Sequence, residues 1–135
     1  MSKYGQYQLL DRIAVGDHVV LSFDSCGACV SCARGVPSCC DTFMARNLTG
    51  RRVDGSTGAV DGDGAEVSSR WFGQSSFATH CIATDRNAVR VPDDLPLATM
   101  APLGCGVLTG AGSVLVALDV QPGSSIVVFG AGAVG

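Results

Sequence analysis

Runs of β-branched and aromatic residues alternate with polar and glycine-rich stretches along this chain, and they predict several short strands. Residues 18–23 and 87–91 each have a strand composition and are bounded by turn residues. Residues 77–83 also predict a strand, in which Cys81 would be a small core residue. A nearly all-apolar segment, 125–129, predicts one more strand.

Apolar residues recur at a spacing of three to four over 103–118, and this period predicts an amphipathic helix. Glycines inside that helix each cost about 1 kcal/mol relative to alanine, so we expect another segment to approach its backbone closely. Residues 92–102 predict a turn and a short helix that ends at Pro102. Glycine and aspartate recur without an apolar period over 47–66, which predicts a long surface loop.

Four thiols at Cys26, Cys29, Cys32 and Cys40 have the spacing of a zinc site, because CxxC steps let a tight turn present two sulfurs at one point. Free or disulfide-paired thiols are one alternative. An iron–sulfur cluster is another, but its usual spacing fits only the first three cysteines. The spacing alone leaves Cys39 as a competitor of Cys40 for the fourth position.

Composition narrows the class of protein. The chain has 135 residues, 47% of them hydrophobic and 16% charged, which is typical of one folded domain and not of a disordered chain. Its net charge of −3 gives no electrostatic case for binding nucleic acid. We find no signal peptide and no apolar run long enough for a membrane span. Seven cysteines without an export signal favour metal ligation in a reducing cytoplasm over a disulfide framework.

Two further motifs bear on chemistry. Cys105, at the entrance of the predicted helix, is a candidate for a second metal ligand. The segment Gly130-Ala-Gly132-Ala-Val-Gly135 follows the last predicted strand and matches the G-x-G-x-x-G fingerprint of dinucleotide sites. In that fingerprint, glycines make the turn, admit a pyrophosphate to the backbone and allow tight packing. A glycine-rich turn without a nucleotide is the alternative.

The cysteine lobe, the segment Gly104-Cys-Gly-Val-Leu-Thr-Gly110 and the apolar strand with its fingerprint follow one another in the order found in zinc-containing medium-chain alcohol dehydrogenases. The chain resembles that family from about Val15 to Gly135. Residues 72–80 are most similar to the aryl- or benzyl-alcohol branch. The resemblance implies an α/β parent. Within it, this chain would supply a partial irregular GroES-like β-barrel with the zinc lobe, then the first strand of a Rossmann domain.

The resemblance also implies roles for the cysteines. The structural-zinc ligands would be Cys26, Cys29, Cys32 and Cys40, which favours Cys40 over Cys39. Cys105 matches the last of three protein ligands of the catalytic zinc. The reaction would be hydride transfer between a primary alcohol and NAD or NADP, with zinc as Lewis acid.

Cofactor and substrate residues follow in the same way. Thr109 matches a threonine beside the nicotinamide ring, and the pyrophosphate loop would comprise Gly130, Gly132 and Gly135. Trp71 and Phe72 fall where such enzymes line the substrate pocket, which suits an aromatic or allylic alcohol. Besides this small-molecule partner, the family implies a homo-oligomer.

Departures from the family pattern predict that this is an internal portion of a dehydrogenase. Residues 1–14 would be an undefined lead-in, 15–118 a partial catalytic domain with the zinc lobe at 24–41, and 119–135 the start of the cofactor domain. The other two catalytic-zinc ligands have no match here, so we expect the 135-residue chain alone to be inactive. The alternative function is a non-catalytic, zinc-stabilised β domain or remnant.

Overall fold

Two short antiparallel strands bring the beginning of the described chain next to its middle. The computed structural model describes residues 13–135, so the predicted lead-in lies almost wholly outside the described residues. Strand β1 (Val19–Leu21) pairs with β2 (Ala88–Arg90), and backbone hydrogen bonds continue the ladder by one residue at each end. Both strands were predicted from their β-branched residues, and both are confirmed.

Short helical segments build the cysteine lobe, which follows β1. They are α1 (Val30–Ala33), a 3-10 turn at Pro37–Cys39, and α2 (Phe43–Asn47). Phe23, two residues after β1, packs against Phe43, the first residue of α2, with ring centroids 5.4 Å apart. This aromatic contact ties the lobe to the strand pair.

The predicted surface loop over 47–66 is confirmed except at its first residue, because Asn47 ends α2 and is buried. Its residues are mostly exposed, and its regular pairing is limited to one antiparallel bridge between Val60 and Glu66. Glu66 also forms an ion pair with Arg51 at 2.7 Å. The loop is therefore held by turns and polar contacts and not by an apolar core.

Helical structure dominates the last third of the chain. Helix α3 (Leu97–Met100) passes into a 3-10 turn (Ala101–Gly104), and then α4 (Gly106–Gly112) continues into a π turn (Ser113–Ala117). The predicted helix over 103–118 is thus confirmed. Pro102 ends the α-helical hydrogen bonding, but the chain stays helical through the 3-10 turn.

Within residues 13–135, no single helix is long and apolar enough to cross a membrane. One bent pair, Leu97–Gly104 with Gly106–Ala117, meets the length and composition criteria only when its two helices are taken together, across a bend of 51°.

Two predicted strands are not formed in the described chain. Residues 77–83 are irregular, and Cys81 is exposed, so its assignment to the core was wrong. Residues 125–129 also form no strand, and Phe129 is almost fully exposed. A strand requires a hydrogen-bonding neighbour. Neither segment finds one among residues 13–135.

The interior of the described chain is small and largely polar. Cys40 and Val91 are its buried hydrophobic side chains, and Ser25, Asn47, Thr57 and Asn87 are its buried polar ones. Many large apolar side chains are exposed, among them Phe77 and Phe129. Hydrogen bonds around the cysteine lobe therefore contribute to the local order where apolar packing does not.

Candidate metal centre

Four cysteine sulfurs converge at the centre of the lobe. The Sγ atoms of Cys26, Cys29, Cys32 and Cys40 all lie within 4.8 Å of one another, and the Cys26–Cys32 pair is 3.9 Å apart. Four sulfurs about 2.3 Å from a zinc ion define a tetrahedron with edges of about 3.8 Å. The donor set and its dimensions fit a structural zinc ion.

A tight turn after Cys26 makes this convergence possible. Gly27 has φ = +73°, a left-handed conformation that favours glycine. The turn directs the backbone N–H groups of Ala28 and Cys29 at the Cys26 sulfur, at 3.4 and 3.2 Å. Such N–H donors stabilise a thiolate, which is the form that binds metal.

Cys40 closes the cage from beyond the 3-10 turn. Its sulfur accepts a hydrogen bond from the Cys26 backbone N–H at 3.3 Å and lies 3.4 Å from the Thr42 hydroxyl oxygen. The Thr42 hydroxyl, and after it the Cys26 N–H, lower the pKa of Cys40 to about 6. The Cys40 thiol is therefore largely in its thiolate form near neutral pH, which is the form that binds a metal ion.

The other sulfurs differ in their electrostatic surroundings. Backbone N–H groups, that of Asp41 first and that of Cys32 next, lower the pKa of the Cys29 thiol. Partial burial, together with a hydrogen bond that the Cys32 thiol donates to the Cys29 sulfur, raises the pKa of Cys32 to about 11. A bound cation would displace the Cys32 proton, because metal ligation requires the thiolate.

Cys39 lies outside the cage. It ends the 3-10 turn, its side chain is exposed, and it does not belong to the sulfur group, although it is adjacent to Cys40. In residues 13–135 no further group of three or more His, Cys, Asp or Glu side chains lies close enough to hold a metal ion. Cys105 is exposed at the N-cap of α4 and is therefore not part of a second cluster in the described chain.

The glycine fingerprint packs against α4, close to Cys105. An added Cβ at Gly110 would clash with the carbonyl oxygen of Val134, and one at Gly106 would lie 2.6 Å from that of Ala133. The expectation that a segment approaches the glycines of this helix is confirmed. On α4 itself, the Thr109 hydroxyl donates to the carbonyl oxygen of Cys105 at 2.8 Å.

The fingerprint glycines form a tight turn of their own. Gly130 has φ = +101°, and a Cβ at Gly135 would clash with the Gly130 carbonyl oxygen. Gly132 has open space on its Cβ side. The turn thus leaves backbone exposed at Gly132, and the pyrophosphate role of these glycines stays a prediction.

Trp71 and Phe72 form an edge-to-face pair with ring centroids 5.8 Å apart in a 3-10 turn (Trp71–Gly73). Phe72 has φ = +52°, an unusual conformation for a residue with a Cβ. About half of the Trp71 side chain is exposed. Their role in a substrate pocket stays a prediction.

Sequence reasoning missed the polar residues that hold the lobe in place. Asn47 is fully buried; its amide oxygen accepts from the Asp24 N–H (2.8 Å), and its amide nitrogen donates to the carbonyl oxygens of Asp24 and Phe43 (both 2.9 Å). Arg86 donates to the Ser25 carbonyl oxygen at 3.1 Å from sixty-one positions away. No local motif marks such contacts, because they form only when distant segments meet.

A cavity of about 480 Å³ beside the lobe is rich in arginine. Three of these arginines have carboxylate partners: Arg46 and Arg86 pair with Asp24, and Arg51 pairs with Glu66. Two carboxylates, those of Asp24 and Glu66, thus pair with three of the five arginines that line the cavity.

Comparison with known proteins adds a family context to this geometry. No family model matches the chain. It is 52% identical over 121 residues to a geraniol dehydrogenase of Castellaniella defragrans, covering 89% of this chain and 32% of that protein. It is 46% identical over 123 residues to a probable alcohol dehydrogenase of a Pseudomonas species, covering 89% of this chain and 38% of that protein. The chain thus spans about a third of the length of the curated relatives it matches.

Two solved structures share the fold. An alcohol dehydrogenase zinc-binding domain protein from Burkholderia ambifaria superimposes with a TM-score of 0.80 at 45% identity, over 85% of this chain and 31% of the other. Benzyl alcohol dehydrogenase from Acinetobacter calcoaceticus gives 0.75 at 42% identity, over 93% and 33%. The observed lobe and strand pair are consistent with part of a GroES-like domain.

Proposed function

We propose that this chain is the structural-zinc portion of a zinc-containing medium-chain alcohol dehydrogenase. It is a relative of these enzymes and corresponds to about a third of their length. The observation that carries the proposal is the cage of four sulfurs within 4.8 Å in a chain 52% identical to a dehydrogenase. The reaction is hydride transfer between a primary alcohol and NAD or NADP. We also propose that the enzyme is located in the cytoplasm and assembles as a homo-oligomer.

The domain assignment is also a proposal. Residues 15–118 form the GroES-like part, and 119–135 begin the NAD(P)-binding Rossmann domain. Two observations support this division. Residues 133–134 pack on the glycines of α4 as a cofactor loop would, and the apolar side chains over 126–129 are exposed, as those of an unpaired strand-forming segment would be.

In the intact enzyme, Cys105 would be one of three protein ligands of a catalytic zinc, which supplies Lewis-acid polarisation of the alcohol oxygen when bound. Thr109 stands one helical turn later, where its side chain would face the nicotinamide ring. Gly130 and Gly132 have open space on the Cβ side and would receive the pyrophosphate, whereas Gly135 packs against the Gly130 carbonyl oxygen and would close the turn.

The proposed substrate is an aromatic or allylic alcohol. Relatives named for geraniol, an allylic alcohol, and for benzyl alcohol support this class. Within this chain, Trp71 and Phe72 would supply the apolar wall for such a substrate. Aromatic side chains bury a planar substrate at low conformational cost.

A chimera tests the function without relying on the isolated chain. The matching third of the Castellaniella defragrans geraniol dehydrogenase is replaced by residues of this chain, and oxidation of geraniol and benzyl alcohol is followed through NADH or NADPH absorbance. We expect activity in the chimera, and its loss together with one zinc ion in Cys105→Ser. Cys81→Ser, which alters another exposed cysteine, is the matched control and should stay active.

Two outcomes would contradict the proposal. A folded chimera that retains full activity with Cys105→Ser would remove this cysteine from the catalytic site. A folded chimera with both zinc ions and no turnover would favour the non-catalytic, zinc-stabilised domain. The 135-residue chain assayed alone is expected to show no turnover, because it offers one of the three ligands that a catalytic zinc needs.

A further inference from the structure

A line of polar contacts runs from Asp24 to the sulfur of Cys40. The Arg46 guanidinium donates from Nη1 to Asp24 Oδ2 at 3.0 Å and from Nε to Thr42 Oγ1 at 2.9 Å. Thr42 Oγ1 in turn lies 3.4 Å from Cys40 Sγ. Asp24 and Arg46 are both largely shielded from solvent, with side chains 13% and 24% exposed.

The direction of these hydrogen bonds follows from the donor inventory. A guanidinium has no acceptor, so Thr42 Oγ1 must accept from Arg46. The single hydroxyl proton of Thr42 is then available for donation, and Cys40 Sγ is the acceptor within reach. Arg46 thereby sets which way the Thr42 hydroxyl points.

Asp24 is itself fixed at several points. Its Oδ1 accepts from the Ser25 backbone N–H at 2.8 Å and lies 3.8 Å from Arg86 Nη2. Its backbone N–H and carbonyl both bond to the buried Asn47 amide. The carboxylate that holds Arg46 is therefore an anchor with little freedom of its own.

We propose that Thr42 and Arg46 are positioning residues of the metal cage. They hold one hydroxyl hydrogen bond on the Cys40 sulfur and so control how strongly and how long this ligand stays on the metal. Cys40 is the ligand that closes the cage from outside the Cys26–Cys32 turn and is its buried member. Hydrogen bonds from the surroundings of a site orient ligands and tune metal affinity, commonly by about 10–100-fold.

The proposal rests on the proposed structural zinc, and cobalt substitution separates the two ideas. The zinc of the chain is replaced by Co²⁺, whose thiolate charge-transfer absorption reports sulfur donation directly. The rate of metal transfer to a chromogenic chelator is measured on the same samples. Loss of the hydroxyl donor in Thr42→Val should shift the charge-transfer band and accelerate transfer by about 10–100-fold.

Three further variants make the test specific. Thr42→Ser keeps the hydroxyl and should restore the band position and the slow transfer. Arg46→Lys can still reach Asp24 but has no Nε–H for Thr42, so we expect faster transfer with the fold retained; it also serves if Thr42→Val does not fold. Arg51→Gln removes an arginine paired with Glu66, away from the cage, and should behave as the parent chain.

The outcomes distinguish the two proposals. If the parent chain shows no cobalt–thiolate band, both the structural zinc and the positioning role of Thr42 and Arg46 are overturned. If the parent chain binds cobalt through its thiolates, but Thr42→Val and Arg46→Lys leave the band and the transfer rate unchanged, only the positioning role is overturned. A shifted band that serine restores supports it.

Discussion

The carbonyl oxygen of Ala133 lies against the Cα of Gly106, where an added Cβ would stand 2.6 Å from it. Real Cβ atoms do not approach an oxygen so closely. Helix α4 and the glycine fingerprint are therefore in contact through bare backbone. This contact joins α4, whose N-cap is the proposed zinc ligand Cys105, to the glycine fingerprint that is the proposed cofactor loop.

Gly106→Ala should break this contact. We expect the added methyl group to displace residues 133–134 and to lower the free energy of unfolding by about 1–3 kcal/mol. Gly112→Ala, in the same helix, is the control, since nothing lies within 4 Å of its Cβ position. It should stabilise the chain by up to about 1 kcal/mol through helix propensity. Urea unfolding measures both, and equal stability of the two variants would contradict the close approach.

Gly27 and Gly35 offer a second matched pair, in the lobe. Both have left-handed backbones, φ = +73° and +78°, so alanine should cost about 1 kcal/mol at either position. At Gly27 the new Cβ would also lie 3.0 Å from Arg86 Cδ, whereas Gly35 faces open space. We expect Gly27→Ala to lose a further 0.5–1.5 kcal/mol or so, as Arg86 moves off its hydrogen bond to Ser25. Thermal unfolding of the zinc-loaded variants would show the difference, and identical midpoints would exclude it.

Local patterns in the sequence predicted the parts of the fold that local physics determines. The β-branched runs marked β1 and β2, the three-to-four spacing marked α4, and the CxxC steps marked a cage. Spacing alone did not choose between Cys39 and Cys40, because that choice depends on how the 3-10 turn before Cys40 is oriented.

The remaining features depend on contacts that no local pattern contains. Residues 77–83 and 125–129 have strand composition, yet a strand exists only with a neighbour. The polar residues that sequence reasoning missed support the lobe from distant positions in the chain, as Arg86 does by its hydrogen bond to Ser25. Their side chains are ordinary polar residues until the fold brings them together.

Asn47 should be among the most sensitive positions in the lobe. Asn47→Ala removes three hydrogen bonds and leaves the N–H and carbonyl of Asp24 without these partners in a partly buried place. We expect a loss of about 2–4 kcal/mol, since each orphaned polar group costs about 1–3 kcal/mol. Thr49→Ala, at an exposed residue just after α2, should change the unfolding midpoint little. An Asn47→Ala variant that unfolds at the same midpoint as the parent chain would contradict the structural role of the amide.

Asp54 gives a pH-dependent prediction in the long loop. The Ser56 backbone N–H, and next its hydroxyl, hold the pKa of Asp54 below its ordinary value. Because the pKa of Asp54 is lower in the folded state, its carboxylate stabilises the fold fully above the unfolded-state pKa, and this stabilisation is lost as the pH falls through the folded-state pKa. Ser56→Ala removes the hydroxyl but keeps the backbone N–H, which is the larger cause. The pKa of Asp54 should therefore rise only part of the way toward its ordinary value. Carbon-13 NMR titration of the carboxylate measures it, with Ser76→Ala as control, and an unchanged pKa in Ser56→Ala would contradict the hydroxyl contact.

The fourth ligand of the cage can be decided by two serine substitutions in adjacent residues. Cys40→Ser removes a sulfur that lies within 4.8 Å of the other three, whereas Cys39→Ser alters an exposed thiol outside the group. Elemental analysis should find about one zinc ion per chain in the parent and in Cys39→Ser, and less in Cys40→Ser. Because structural zinc contributes to folding itself, Cys40→Ser should also unfold at lower temperature and lose its response to chelator. The reverse pattern, with zinc lost from Cys39→Ser and retained by Cys40→Ser, would mean that the lobe closes on the other cysteine.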